Sequence, residues 1–433
     1  MFPPPPPVIS ARVYQLTRLP NGLTIASAEM PHMASVAVGL WVGIGGRYEP
    51  ERLSGTAHFI EHLLFKGTER RSAKEISEAV EGVGGYLNAF TTEENTCFHA
   101  RAHASRFEEL LDVLVDMFAH SRFAPADLAK ERAVIKEEIA MYRDQPAQYV
   151  HDLLHEALWP NHPLGRALTG TKKSLDGLKR PDLLEFFRAN YVAPNTLLVV
   201  AGPLRHAGVV RAVKKFAGKF SAGQKPVLIP IVAQQTAPVV RLHTKSVEQT
   251  QMALGVRACS RHDERRHALR VLNALVGESM SSRLFQVLRE DKGLVYNVYS
   301  GWAFLEDTGA LTISAGLEHD DLEKSLRIIL RELRRLTETP VPAAELRRAR
   351  DYLIGQMELS LESTENQMNW VGESLLDYGK IIPPAATRER LARVTAAEVR
   401  AAARDFFRPE RLTLAVISPL VKSAGLEKCL RRA

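Results

Sequence analysis

The chain has 433 residues, 45% of them hydrophobic and 25% charged, a length that divides into two or three units and a composition typical of folded soluble proteins. Its formal charge of +7 comes from Lys and Arg interleaved with Asp and Glu, a solvated surface that argues against a nucleic-acid partner. No window offers the roughly 18 consecutive apolar residues of a membrane span, and Cys97, Cys259 and Cys429 form no Cys-x-x-Cys pair. Neither a disulfide framework nor a cysteine zinc site is thus indicated, and a reducing, cytoplasmic setting is expected.

Met1 and Phe2 precede prolines from Pro3 to Pro7, without the basic start and apolar run of a secretory signal or the pattern of a transit peptide. Residues 1–10 are therefore expected to form a short extended tail. Asn21-Gly22 separates two apolar runs in the manner of a hairpin, and residues 36–42 supply a β-rich segment. An apolar stretch around His58 to Phe65 follows. Ser72-Ala-Lys-Glu75 has capping-box spacing and opens an amphipathic helix through Ile76 and Val80, which Gly82, Gly84 and Gly85 end. Residues 86–90 and 96–99 read as paired strands, and helical periods occupy 107–118 and 126–142.

The second half repeats this plan. Phe186-Phe187-Arg188 followed by the strand-like run from Pro194 to Leu204 matches Phe406-Phe407-Arg408 followed by the run from Pro409 to Leu420: helix, Pro turn, buried strand. Residues 222–238, with Gly223, Pro226, Pro230 and Pro238, read as a linker. The expected organisation is α+β: two homologous domains from an internal duplication, 11–221 and 239–433, each a mainly antiparallel sheet with helices packed on it.

His58-Phe59-Ile60-Glu61-His62 places two imidazoles one helical turn apart on one face, with Glu61 on the same face and Phe59, Ile60, Leu63 and Leu64 opposite. Zinc takes two neutral imidazoles and a carboxylate readily, and such a set leaves Glu61 free to take a proton from water. With 14 His and 50 acidic residues in the chain, the pattern arises by chance about 0.05 times per sequence. Alone, it also fits three side chains hydrogen-bonded locally in a helix, so a third ligand must decide. On the 126–142 helix, Leu128, Ile135, Ile139 and Tyr142 form the apolar stripe, Glu131 and Glu138 project along its edge, and Glu137 faces the opposite side. Helical geometry thus selects Glu138 as the ligand and leaves Glu131 to orient a histidine or the water. The competing account of Glu131 and Glu138 is a buried salt bridge.

These residues resemble the inverzincins, whose His-x-x-Glu-His inverts the commoner zincin order. Within them the similarity is to pitrilysin and, more closely, to the mitochondrial-processing-peptidase branch with its short bacterial chains. It extends through residues 55–68, Leu87-Asn88-Ala89-Phe90-Thr91, Glu131-Arg132 followed by Glu137-Glu138-Ile139, and His162-Pro163-Leu164-Gly165. The resemblance implies a zinc endopeptidase with His58, His62 and Glu138 as ligands to one Zn2+ per chain, Glu61 as base and Glu131 as a supporting catalytic residue. Arg289 and Tyr296, in Leu288-Arg289-Glu290-Asp291-Lys292-Gly293-Leu294-Val295-Tyr296, look like the family's substrate and oxyanion contacts; read alone they are a surface arginine and a strand tyrosine. The implied substrate is a peptide or unfolded polypeptide that adds to a sheet edge along residues 87–91, with Asn88 and Ala89 at the cleavage point. Longer family members join two clam halves, so this chain is expected to be one half of a closed chamber, as a homodimer or a heterodimer with a homologue, each site drawing Arg289 and Tyr296 from the other chain.

His151-Asp152-Leu153-Leu154-His155 also pairs two histidines at helical spacing, but no third ligand follows at recognisable spacing, and a polar helix face is the expected reading. Two rival functions stay open at this point. One is a catalytically silent structural subunit, from which the intact quartet of His58, Glu61, His62 and Glu138 argues away. The other is a specialised processing peptidase.

Overall fold

The computed structural model describes residues 13–232 and 235–432; the expected tail at 1–10 lies outside them. Strands β1 (Tyr14–Arg18) and β2 (Thr24–Glu29) meet across the Asn21-Gly22 turn, where Gly22 adopts φ +94°, a left-handed conformation that costs glycine least. β3 (Ser35–Val42), β4 (Tyr86–Thr91), β5 (Thr96–His103) and β6 (Thr196–Gly202) complete a six-stranded sheet ordered β1-β2-β6-β3-β5-β4. The later strands are β7 (Val239–Thr244), β8 (Thr250–Ala258), β9 (Val295–Phe304), β10 (Gly309–Leu317) and β11 (Thr413–Ser418), ordered β7-β11-β8-β10-β9.

The two sheets share one plan. β6 pairs parallel to β2 and antiparallel to β3, while β11 pairs parallel to β7 and antiparallel to β8. Apart from the extra β1, the strand orders correspond position by position, so the duplication read from the repeated strand motif is a duplication of topology. β6 and β11 are buried along their whole length, which requires cover on both faces of each sheet.

On one face of the first sheet lie helices α1 (Thr56–Leu64), α2 (Ala73–Glu81), α3 (Phe107–His120) and α4 (Pro125–Asp144), packed through a core that includes Phe59, Leu63, Phe98, Leu114 and Ile135. Helix α2 starts with the expected capping box between Ser72 and Glu75. The other face is lined by small residues, Ala26, Ala28, Ala37 and Ala201, around Trp41, and it is covered by Met368, Val371 and Leu375 of the helix Thr364–Tyr378. The approach is so close that a Cβ on Gly372 would lie 2.4 Å from Trp41 Cε2. In the second sheet the equivalent face, with Ala253, Ala310, Ala415 and Ile417, is covered by Val150, Leu154 and Leu158 of α5 (Pro146–Leu158).

The compact units therefore interleave along the chain, with one boundary at Ile229/Pro230 inside the 222–238 segment and others outside it. Residues 140–166 belong with the second sheet and residues 358–385 with the first. Each half supplies one helix to the small-residue face of the other half's sheet, a face too apolar to be left in water. The described part of 222–238 forms no helix or strand. No helix among the described residues is long and apolar enough to cross a membrane.

Candidate metal centre

Helix α1 starts at Gly55, which sits at φ +93° with its Cβ position 2.7 Å from the Thr169 carbonyl oxygen. Only glycine fits there. The buried Glu49 carboxylate accepts hydrogen bonds from the Gly55 and Ala57 amides at 2.7 and 2.6 Å, placing negative charge on the helix N-terminus. Phe59, Ile60, Leu63 and Leu64 are fully buried. That anchoring fixes the rotation of α1 and turns His58 and His62 toward Glu138 of α4 and Glu61 toward Thr91 of β4.

Helix α4 presents Glu138 to both histidines. Its Oε2 lies 3.7 Å from His58 Nε2 and 3.7 Å from His62 Nε2, and the three donor atoms all fall within 4.8 Å of one another. These separations are too long for hydrogen bonds. They suit atoms arranged around a common ion, since tetrahedral ligands at zinc distances stand roughly 3.4 Å apart. Burial, and then the neighbouring His62, push His58 down to about 3, which keeps its imidazole neutral and able to ligate. Among the described residues this is the one group of three or more His, Cys, Asp and Glu that could hold a metal. Two nitrogens and a carboxylate oxygen are the donor set of a catalytic zinc. Glu137 is exposed, as its helical position requires.

The surrounding groups hold these side chains in place. Glu131, 4% exposed, bonds His62 Nδ1 through Oε2 at 3.0 Å and Lys66 Nζ through Oε1 at 2.9 Å. It thereby fixes which His62 nitrogen faces the centre, and Lys66 balances its charge. Glu61 accepts a 2.5 Å hydrogen bond from Thr91 Oγ1. Burial raises the Glu61 pKa, opposed by the Thr91 bond and by His62 and reinforced by Glu138. Replacing Glu131 by Gln is expected to weaken zinc binding by about 10- to 100-fold, the usual cost of losing a carboxylate that orients a ligand histidine. Competition against a chromogenic chelator measures this, and unchanged affinity would remove Glu131 from its supporting role.

Asn88 and Ala89 lie on β4, the edge strand of the first sheet. Asn88 Nδ2 donates to Tyr86 Oη at 2.5 Å, and its Oδ1 accepts the Ala89 amide at 2.9 Å. Arg289 and Tyr296 belong to the second compact unit, the metal cluster to the first. Within that unit the Arg289 guanidinium lies 5.5 Å from the Tyr296 ring centroid, and Tyr296 is 76% exposed. His151 is engaged by Tyr299 Oη at 3.1 Å.

Sequence reasoning gave Lys66 no role and placed Thr91 only on the expected substrate edge, not against Glu61. Lys66 stands one turn beyond His62, on the stripe that begins at His58, so its position was readable once that stripe was extended. Thr91 carries no such signal, because its contact with Glu61 joins a strand to a helix 30 residues away.

The description "Insulinase (Peptidase family M16)" belongs to the family model that matches residues 24–172, and "Peptidase M16 inactive domain" to the model that matches residues 177–353. The chain is 38% identical over 399 residues to the uncharacterized zinc protease YmxG of Bacillus subtilis, covering 92% of this chain and 97% of that protein. An uncharacterized zinc protease of Rickettsia felis is 32% identical, covering 94% of this chain and 98% of its own length. A crystal structure of a protease from Helicobacter pylori superposes with a TM-score of 0.88 at 21% identity, over 94% of this chain and 99% of that one. A structure titled peptidase M16 inactive domain from Pseudomonas fluorescens gives 0.87 at 18% identity, over 94% of this chain and 98% of that one. At these identities the two structures speak for the fold alone.

Proposed function

Because this chain belongs to peptidase family M16, the insulinase family, we propose that it is a zinc-dependent endopeptidase acting on extended peptides and unfolded polypeptides. The observation that carries this reading is the convergence of His58, His62 and Glu138 on one point with Glu61 on the same helix face. When bound there, zinc supplies Lewis-acid charge that lowers the pKa of water toward ~7 and polarises a scissile carbonyl. Glu61 takes the proton of the attacking water and passes it to the leaving amine. Glu131 holds His62 in register through Nδ1. The unpaired edge of β4 aligns the substrate backbone by strand addition, a mode tolerant of sequence. In this proposal the chain works as a homodimer enclosing a chamber, and Arg289 and Tyr296 of the second copy stabilise the oxyanion.

The test is hydrolysis of an unbiased peptide mixture by the purified protein. Cleavage is expected to disappear on chelation and return with zinc at one ion per chain, while folded proteins stay intact. A purified protein that binds no zinc and cleaves no peptide would favour the silent structural subunit.

A further inference from the structure

Strand β4 has one free edge, and the ladder it shares with β5 determines which of its residues face it. Thr92 N donates to Asn95 O at 2.8 Å, closing the β4–β5 turn as a hydrogen-bonded pair. Counting back through the register Thr91↔Thr96, Phe90↔Cys97, Ala89↔Phe98, Asn88↔His99, Leu87↔Ala100, the alternation of an antiparallel ladder turns the backbone groups of Thr91, Ala89 and Leu87 away from β5. The Ala89 amide, bonded to its neighbour's Asn88 Oδ1, agrees with this parity. An incoming strand would therefore meet the backbones of Leu87, Ala89 and Thr91, replacing Asn88 Oδ1 at the Ala89 amide.

The side chains of the same three residues point to the opposite task. Leu87 and Ala89 pack against the core that contains Phe59 and Leu63 of α1, and Thr91 Oγ1 donates to Glu61 Oε2 at 2.5 Å. Thr96 Oγ1, bonded to the Ile44 carbonyl at 2.9 Å, lies 3.4 Å behind the Thr91 hydroxyl.

We propose that Thr91 is a positioning residue that joins substrate binding to proton transfer: its backbone belongs to the edge that receives the substrate strand, and its hydroxyl fixes one oxygen of the general base. With Oε2 of Glu61 held by Thr91, Oε1 is the oxygen left to accept the proton. The edge that places the scissile bond and the group that orients the base are then one residue. This inference rests on the peptidase reading and deepens it.

The experiment compares the full-length zinc-loaded protein with Thr91→Val and Thr91→Ser on a quenched fluorescent peptide, with zinc content measured for each. Valine keeps the shape and the backbone edge but removes the hydroxyl, so kcat is expected to fall about 10- to 100-fold, the cost of losing a hydrogen bond to a charged group. KM and zinc content stay as in the parent chain, and serine restores kcat to within about threefold. Retained kcat in Thr91→Val, or a Thr91→Ser variant as slow as Thr91→Val, would overturn the assignment. Crystal structures of the two variants give a readout that needs no turnover. Glu61 is expected to leave the Thr91-facing orientation in Thr91→Val and to keep it in Thr91→Ser, and the same orientation in both would overturn the proposal. A parent chain that cleaves no peptide with zinc bound would count against the peptidase reading, while these structures still decide the role of Thr91.

Discussion

Glu61→Gln is expected to reduce peptide hydrolysis by about 10²- to 10⁴-fold while zinc stays at one ion per chain. The amide is nearly isosteric with the carboxylate and can still accept from Thr91 Oγ1, now 2.5 Å from Glu61 Oε2, so the local packing has no reason to change. What is lost is the capacity to take a proton. The converging atoms, Nε2 of His58 and His62 and Oε2 of Glu138, do not involve Glu61. Single-turnover rates together with elemental analysis make the measurement. Loss of zinc in this variant would make Glu61 a ligand, and undiminished turnover would leave the base unassigned.

The second large effect separates two adjacent glutamates. Glu138→Gln is expected to weaken zinc binding by more than about a hundredfold, beyond the loss produced by a group that only orients a ligand. Glu137→Gln should leave affinity within about twofold, as for an exposed side chain remote from the ion. The asymmetry follows from the rotation of α4, which sends Glu138 toward both histidines and leaves Glu137 exposed. A neutral amide oxygen is a poorer zinc ligand than a carboxylate and also leaves the ion's charge uncompensated. Equal metal content in the two variants would break the assignment of the third ligand.

Much of this centre was legible because it is written in local periodicity. The four-residue spacing of His58 and His62 and the apolar residues between them specify a helix face, and the stripe through Leu128, Ile135 and Ile139 specifies which of two neighbouring glutamates turns inward. Both are properties of a single helix, which sequence describes well. The bond from Thr91 to Glu61 depends on how β4 lies against α1, and no periodicity records that. The same limit applies to domain organisation. The repeated motif that ends at β6 and β11 disclosed the duplication, yet the apolar face of the helix Thr364–Tyr378 says only that it must be buried. Its destination, the alanine-lined face around Trp41, depends on the shape of a distant sheet.

That exchange of helices also orders events during synthesis. As the chain emerges from the ribosome, all six strands of the first sheet are available once Gly202 has appeared, but the surface bearing Ala26, Ala37 and Trp41 waits for residues 358–385. An apolar sheet face is thus exposed while residues 203–357, more than a third of the polypeptide, are made. The nascent half that carries His58, His62 and Glu138 therefore presents an aggregation-prone surface during synthesis, and a fragment cut at the 222–238 segment would carry that exposed face permanently.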